Sequence, residues 1–319
     1  MNSLTEEEYE DLLGLWADLE AGLAIILGSP ASIQEFEKRV WQYDRWMQGL
    51  LERDTDVGLY LLFQLATNSP VGYSASHALV SAVLCHLIAL ELKLPLGERN
   101  SLVHAAFTMN LAMTALQDQL AGQIEAPTDV QQEGIRTHTT RSVQLLADMA
   151  VPDPLWLDIV AQHQDDSADP GELPGLSPAP RLAAILRMVD RYAAMISPRQ
   201  TREGRSATDS ARSIIKSAEH HDTVASALVR SVGLCPPGTY VRLDDKEVAV
   251  VMRRSATLNQ PYVAIVINPT GRLLNPPRLH LVANGGPGIA AALAPSAVHE
   301  RLNHHLILRL AAQVALSPG

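Results

Sequence analysis

The hydrophobic period of this chain changes from helical to β-rich at Cys235-Pro236-Pro237-Gly238, and that change constrains the architecture more than any other feature. Before it, apolar residues recur at intervals of three and four; after it, short β-branched runs alternate with turn residues. From Thr5 to about Ala66, Leu12, Leu15, Trp16 and Leu19, and later Trp41, Trp46, Leu50 and Leu51, mark two or three helices. From Pro70 to Leu234 the helical pattern continues, punctuated by Pro95, Pro127, Pro152, Pro154, the stretch Ser167 to Pro180, and Pro198. Thr128-x-x-Gln131 fits a capping box, and Pro180 stands where the first turn of another helix begins. Beyond Gly238 the runs TYVRL, VAVVM and YVAIVI predict a small antiparallel sheet of three or more strands. Asn284 to Gly288 is a breaker, and Glu300 to Leu316 reads as one last helix. The expected class is mainly α, divided into an N-terminal helical region 1–69, a helical domain 70–235, a β-rich appendage 236–285 and a C-terminal helix and tail 286–319.

Composition excludes several functions. With 25 Lys and Arg against 35 Asp and Glu the net charge is −10, and four Trp, seven Tyr and three Phe supply few stacking platforms, so neither DNA nor RNA is an expected partner. Any phosphate ligand must be held by a local basic pocket. The acidic start MNSLTEEEYEDLL does not read as a secretory signal, and Cys85 and Cys235 give neither a disulfide framework nor a metal knuckle, so a reducing cytoplasm is the expected location. The most apolar stretch, Ala78 to Leu94, is interrupted by His86, Glu91 and Lys93 and reads as a core helix, not a membrane span.

The chemistry-bearing residues lie in the middle region: His77, His104, His138 and His163, with Asp190 and the Asp165-Asp166 pair. Placed together, imidazoles and carboxylates hold divalent cations, although a single histidine is more often a hydrogen-bonded core or surface residue. His77 and His86 are nine residues apart and so face opposite sides of one helix. His77, near a helix start, is the ligand candidate; His86, within an apolar run, is structural. His221-Asp222 is read as heading a helix, with Asp222 as an N-terminal charge, and His304-His305 as lying on a late amphipathic helix. Asp190 has Leu186, Ala193 and Ala194 on its own face, and a carboxylate there needs a cation, a metal, or a salt bridge to Arg187 or Arg191.

Tyr73-x-x-x-His77 opens a long apolar helix, His138 stands in IRTHTTRSVQLL, His163 in IVAQHQDD, and Asp190 in VDRYAAMISPRQTR; VGLCPPGTYVRL then leads into the first strand. In this order the segments, over roughly Pro70 to Leu243, resemble the HD-GYP family, bacterial HD-superfamily metal-dependent phosphohydrolases that act on cyclic di-GMP. The resemblance implies a multi-helix HD-superfamily core, with His77, His138, His163 and Asp190 as metal ligands and Arg199 and Arg202 near ligand phosphates. The departures fall on the chemistry. Where the family has Leu-His-Asp-Ile-Gly-Lys this chain reads Thr108-Met109-Asn110-Leu111-Ala112-Met113. Gln164 and Asp165 follow His163 in place of the family's second histidine and acid, and ADPGELPGL replaces the GYP loop.

A two-metal hydrolase needs a carboxylate bridging cations ~3.5–4 Å apart, which the neutral amide of Asn110 cannot supply. The thioether of Met109 is a poor donor to iron or manganese. The expectation is a catalytically impaired homologue, carrying one divalent iron, manganese or zinc ion or none, that binds cyclic di-GMP or a protein partner, a second copy included. Two alternatives stand beside it: an active phosphodiesterase that recruits Asp165, Asp166 or His104 as replacement ligands, and a helical scaffold whose Trp41, Trp46 and Leu50 form core or a partner surface.

Overall fold

The computed structural model describes residues 6–68, 71–165, 173–200, 204–217, 223–257, 259–283 and 286–316. The first third supplies three helices, α1 (Glu6–Gly28), α2 (Phe36–Arg53) and α3 (Thr55–Asn68). The middle supplies α4 (Tyr73–Glu91), α5 (Leu96–Thr108), α6 (Thr114–Ala121), α7 (Asp129–Asp148), α8 (Pro154–Gln162), α9 (Pro178–Ile196), α10 (Ala207–Ser217) and α11 (Thr223–Val232). Five strands follow, β1 (Tyr240–Leu243), β2 (Val248–Arg253), β3 (Tyr262–Ile267), β4 (Leu273–Leu281) and β5 (Ile289–Leu293), and α12 (His304–Leu316) closes the described chain.

The starts of these helices follow from local chemistry. Thr128 and Gln131 form the reciprocal capping box in front of α7. Asp153 accepts the backbone N–H groups of Leu155 and Trp156 at the start of α8, where Pro154 occupies the first helical position. The proline at the first position of α9 is Pro178, so Pro180 stands within the first turn.

α4 is the organising helix. Its residues are buried on all sides, from Ser74 to Ala89, and it touches α1, α3, α5, α6, α9 and α11. It is long and apolar enough to cross a membrane, yet 83% of that stretch is covered by the rest of the protein, as a core helix requires. Gly72 at its start offers no side chain; Asp118 of α6 caps it instead, accepting Ser74 N–H at 2.7 Å and Ser74 O–H at 2.9 Å. One hydrophobic core runs from Leu12 and Trp16 of α1 through Leu79 and Leu84 of α4 to Ile185 of α9 and Ile307 of α12.

The sheet is antiparallel throughout, in the order β4-β3-β2-β1-β5. Strand alternation divides its side chains: Val250, Met252, Ala264 and Val266 join the helical core, while Val241, Ala249, Val251, Val263 and Ile265 make a second cluster on the other face. β5 has no counterpart in the sequence pattern, since its IAAAL lacks β-branched alternation beyond the first residue. The edge strand β4 carries Pro276 and Pro277, which lack N–H donors and so blunt edge pairing. At the turn into the sheet, Gly238 has φ +93°, and a Cβ there would come within 2.6 Å of Phe63 Cβ; only glycine fits.

Ion pairs fasten the sheet to the first helices. Asp54 caps α3 through Val57 N–H at 3.0 Å, accepts the Tyr9 hydroxyl at 2.7 Å, and pairs with Arg253 at the end of β2. Arg254 pairs with Asp56. His304 meets the Tyr60 hydroxyl at 2.7 Å, tying α12 to α3. The two candidate tryptophans divide: Trp41 packs its ring 4.8 Å from that of His104, whereas Trp46 is 37% exposed beside Tyr43.

Candidate functional site

A pocket of about 340 Å³ opens where α4, α7 and α9 meet the short turn Leu111–Met113, and it gathers His77, Asn110, His138, Gln164, Asp190 and Arg199. A larger cleft of about 940 Å³ lies between α10, α11 and the loops of the sheet, but its lining includes none of His77, His138, His163, Asp190 and Arg199. Convergent imidazole and carboxylate groups, not volume, mark the chemical site.

Each functional side chain is fixed by a specific anchor. His77 lies one turn into α4, whose start Asp118 caps. Trp156 of α8 donates its indole N–H to Thr108 Oγ1 at 2.8 Å, docking the helix that precedes His163 against the end of α5, next to Met109 and Asn110. Ala112 N–H donates to Ser142 Oγ at 3.0 Å, joining the Leu111–Met113 turn to α7 and hence to His138. Gln200 N–H donates to Ala121 O at 2.9 Å and holds the segment carrying Arg199 against the end of α6.

Two pairs form inside this frame. In the first, His77 Nε2 lies 2.8 Å from Asp190 Oδ1, and Gln164 Nε2 donates to Asp190 Oδ2 at 3.2 Å. Burial pushes the Asp190 carboxyl up, but the hydrogen bond and charge of His77, with His163 and Gln164, outweigh it and hold the group below its ordinary value. His77 Nδ1 is buried without a hydrogen-bond partner. In the second pair, His138 Nδ1 donates to Ile135 O at 2.5 Å and His163 Nδ1 donates to Val160 O at 2.8 Å. Those bonds fix the tautomers and leave a lone pair on each Nε2, and the two Nε2 atoms face one another at 3.4 Å. Two lone pairs at that distance repel unless a proton or a cation lies between them. Burial, opposed by the charge of Asp190, holds the His163 imidazole down at about 4, so a proton is disfavoured near neutrality. For a tetrahedral zinc ion with Zn–N bonds of ~2.0–2.1 Å the N···N edge is about 3.4 Å, so this pair fits two ligands of one ion, each with its other nitrogen donated to a carbonyl.

Among the described residues no group of three His, Cys, Asp or Glu side chains is gathered tightly enough to hold a metal by itself. The remaining candidates divide cleanly. Asn110 lines the pocket, whereas Met109 is 1% exposed and meets only a void of about 10 Å³ that Asn110 also borders. Gln164 reaches Asp190, while Asp165 is exposed and outside the pocket lining. His104 lies away from the pocket, bonded to Asp44 at 3.2 Å between the rings of Trp41 and Trp156. Burial lowers the pKa of His86, which is likewise remote from the pocket. Arg202, Asp166 and the His221-Asp222 pair lie outside the described residues. Gln117, Arg136 and Thr139 join the lining without any spacing that announces them. Tyr73, one helical turn before His77, stacks on it with ring centres 5.4 Å apart and planes 13° from parallel.

No family model matches the chain. A curated relative, a cyclic di-GMP phosphodiesterase of Pseudomonas aeruginosa, is 26% identical over 200 residues, 61% of this chain; the chain spans about half of that relative's length, 48%. Among solved structures, an HDG“Y”P protein from Bdellovibrio bacteriovorus superposes with a TM-score of 0.50 at 11% identity, covering 67% of this chain and 69% of that one. The chain is thus similar in sequence to the one protein and in fold to the other. The likeness in fold rests on a mainly helical body followed by a small C-terminal antiparallel sheet.

Proposed function

We propose that this chain is of HD-GYP type and acts in cyclic-di-GMP-related signalling by holding a cyclic dinucleotide phosphodiester in the pocket, with hydrolysis impaired. The observation that carries the reading is the position of Asn110, in the same pocket wall as His77, His138 and Asp190. A carboxylate there would bridge and neutralise two cations; a carboxamide has no charge to do so. Asp190 compounds the loss, because His77 and Gln164 already occupy both of its oxygens.

His138 and His163 are the residues that would hold a single cation, through their facing Nε2 atoms. The chemistry that such an ion would supply there is Lewis acidity toward a phosphoryl oxygen. Arg199 supplies the positive charge for a phosphodiester, and Asn110, Gln117 and Thr139 supply neutral hydrogen-bonding groups on the walls. The His138–His163 geometry also supports a rival reading, residual metal-dependent phosphodiesterase activity at a rearranged site. His104 is not available to such a site, being bonded to Asp44.

The test is elemental analysis of the chain purified without chelator, beside His163→Ala and Asp190→Ala, together with turnover of cyclic di-GMP and binding by calorimetry. The expected result is at most one equivalent of metal, lost in His163→Ala, with saturable binding and slow or absent turnover that Met109→His with Asn110→Asp raises. Two equivalents of metal and rapid turnover in the unaltered chain would establish the rival.

A further inference from the structure

Arg199 is held over the pocket by a neutral group. Its Nη2 donates to the Tyr73 hydroxyl at 2.8 Å, and its guanidinium carbon lies 4.8 Å from the centre of the Tyr73 ring. Among the described residues it has no ion-pair partner, and its Nε is buried without an acceptor. The ring that holds it is the one stacked on His77, and His77 is bonded in turn to Asp190.

The chemistry of that arrangement is specific. A carboxylate beside Arg199 would orient the guanidinium but cancel its charge; a phenol orients it and leaves the charge intact. Arginine left loose on its three-carbon stem must give up its rotamer freedom when it meets a ligand, and a side chain already fixed has less to lose. The aromatic face adds attraction for the planar cation. One side chain therefore does two jobs: its hydroxyl fixes the cation and its ring braces the imidazole of the His77–Asp190 pair.

We propose that Tyr73 is a positioning residue that presents Arg199, uncancelled and pre-oriented, to the anionic group of a ligand entering the pocket. The ligand side of the proposal rests on the pocket accepting a phosphodiester, as inferred above. The positioning side stands on geometry alone.

The experiment uses the full chain, with cyclic di-GMP as the binding probe, and compares Tyr73→Phe, Arg199→Ala and their combination by calorimetry. Tyr73→Phe retains the ring and its stack on His77 and removes only the hydroxyl. The expected result is an unchanged melting temperature, affinity about five- to tenfold weaker, as for one lost hydrogen bond, and a combined variant no weaker than Arg199→Ala alone. Unchanged affinity in Tyr73→Phe, or losses that simply add, would overturn it. A second readout needs no ligand: in protein labelled with 15N-arginine, the Nε–H signal of Arg199, assigned with Arg199→Lys, is expected to report a rigid group that becomes mobile in Tyr73→Phe. If that change occurs and cyclic di-GMP does not bind, the ligand reading fails and the positioning role stands. If Arg199 is already mobile in the unaltered chain, the positioning role fails whatever binds.

Discussion

The facing imidazoles of His138 and His163 make metal-free protein sensitive to acid in a way that can be calculated. Burial holds His163 at about 4 in the folded chain, against 6.5 when it is exposed. As pH falls, the unfolded state takes up the proton first, so folding stability declines from about pH 6.5 and the decline ends near pH 4. Linkage between those two values gives a loss of about 1 kcal/mol from pH 7 to 5.5 and about 2 kcal/mol from pH 7 to 4.5. The assay is urea unfolding in EDTA at these three pH values, on the unaltered chain and on His163→Leu. Other groups titrate in both proteins, the burial-depressed His86 among them, so the informative quantity is the difference between the two pH profiles. The unaltered chain should lose about 2 kcal/mol more than the variant between pH 7 and 4.5. Parallel profiles would show that His163 is not a buried neutral imidazole and would remove the lone-pair argument for a cation. Because metal and proton compete for the same Nε2, zinc should raise the melting temperature at pH 7 and lose that effect at pH 4.5.

Three further outcomes are expected. Asp54→Ala leaves Arg253 without its carboxylate, Tyr9 without its acceptor and α3 without its cap, and should cost about 3–5 kcal/mol in denaturant unfolding. Gly238→Ala combines a positive φ with a Cβ driven against Phe63, and should cost about 1–3 kcal/mol by the same measurement, with the loss absent at the open Gly97, where alanine meets nothing. Asp118→Ala uncaps α4 in front of His77 and should cost about 1–2 kcal/mol, with hydrogen exchange accelerated in the first turn of α4 while its C-terminal half keeps its protection.

Much of the helical body was legible because helices announce themselves locally. The capping box at Thr128, the prolines and the change of period at Cys235-Pro236-Pro237-Gly238 all report on neighbours within a few residues. β5 was not legible, since a short run of alanines joins a sheet only because β1 offers it an edge. In the site, the identities of Met109 and Asn110 could be read directly, but only the fold distinguishes them, placing one in the core and the other on the pocket wall. Gln164 illustrates the limit: as a residue type it is unremarkable, and its meaning comes from an aspartate 26 positions away that it caps with a hydrogen bond. Asp118, which no motif marks, matters through a helix start 44 residues earlier.

The ion pairs that fasten the sheet to the first helices carry a consequence for the order in which the chain folds. Asp54 and Arg253 are 199 residues apart, and Asp56 and Arg254 are 198 apart. During synthesis α1, α2 and α3 leave the ribosome long before their arginine partners exist, so this corner stays unfinished until almost the whole helical body has been made. Closing so long a loop gains its reward last, when the intervening helices have already brought the ends together. Helices made well before their arginine partners are thereby among the later ones to be locked.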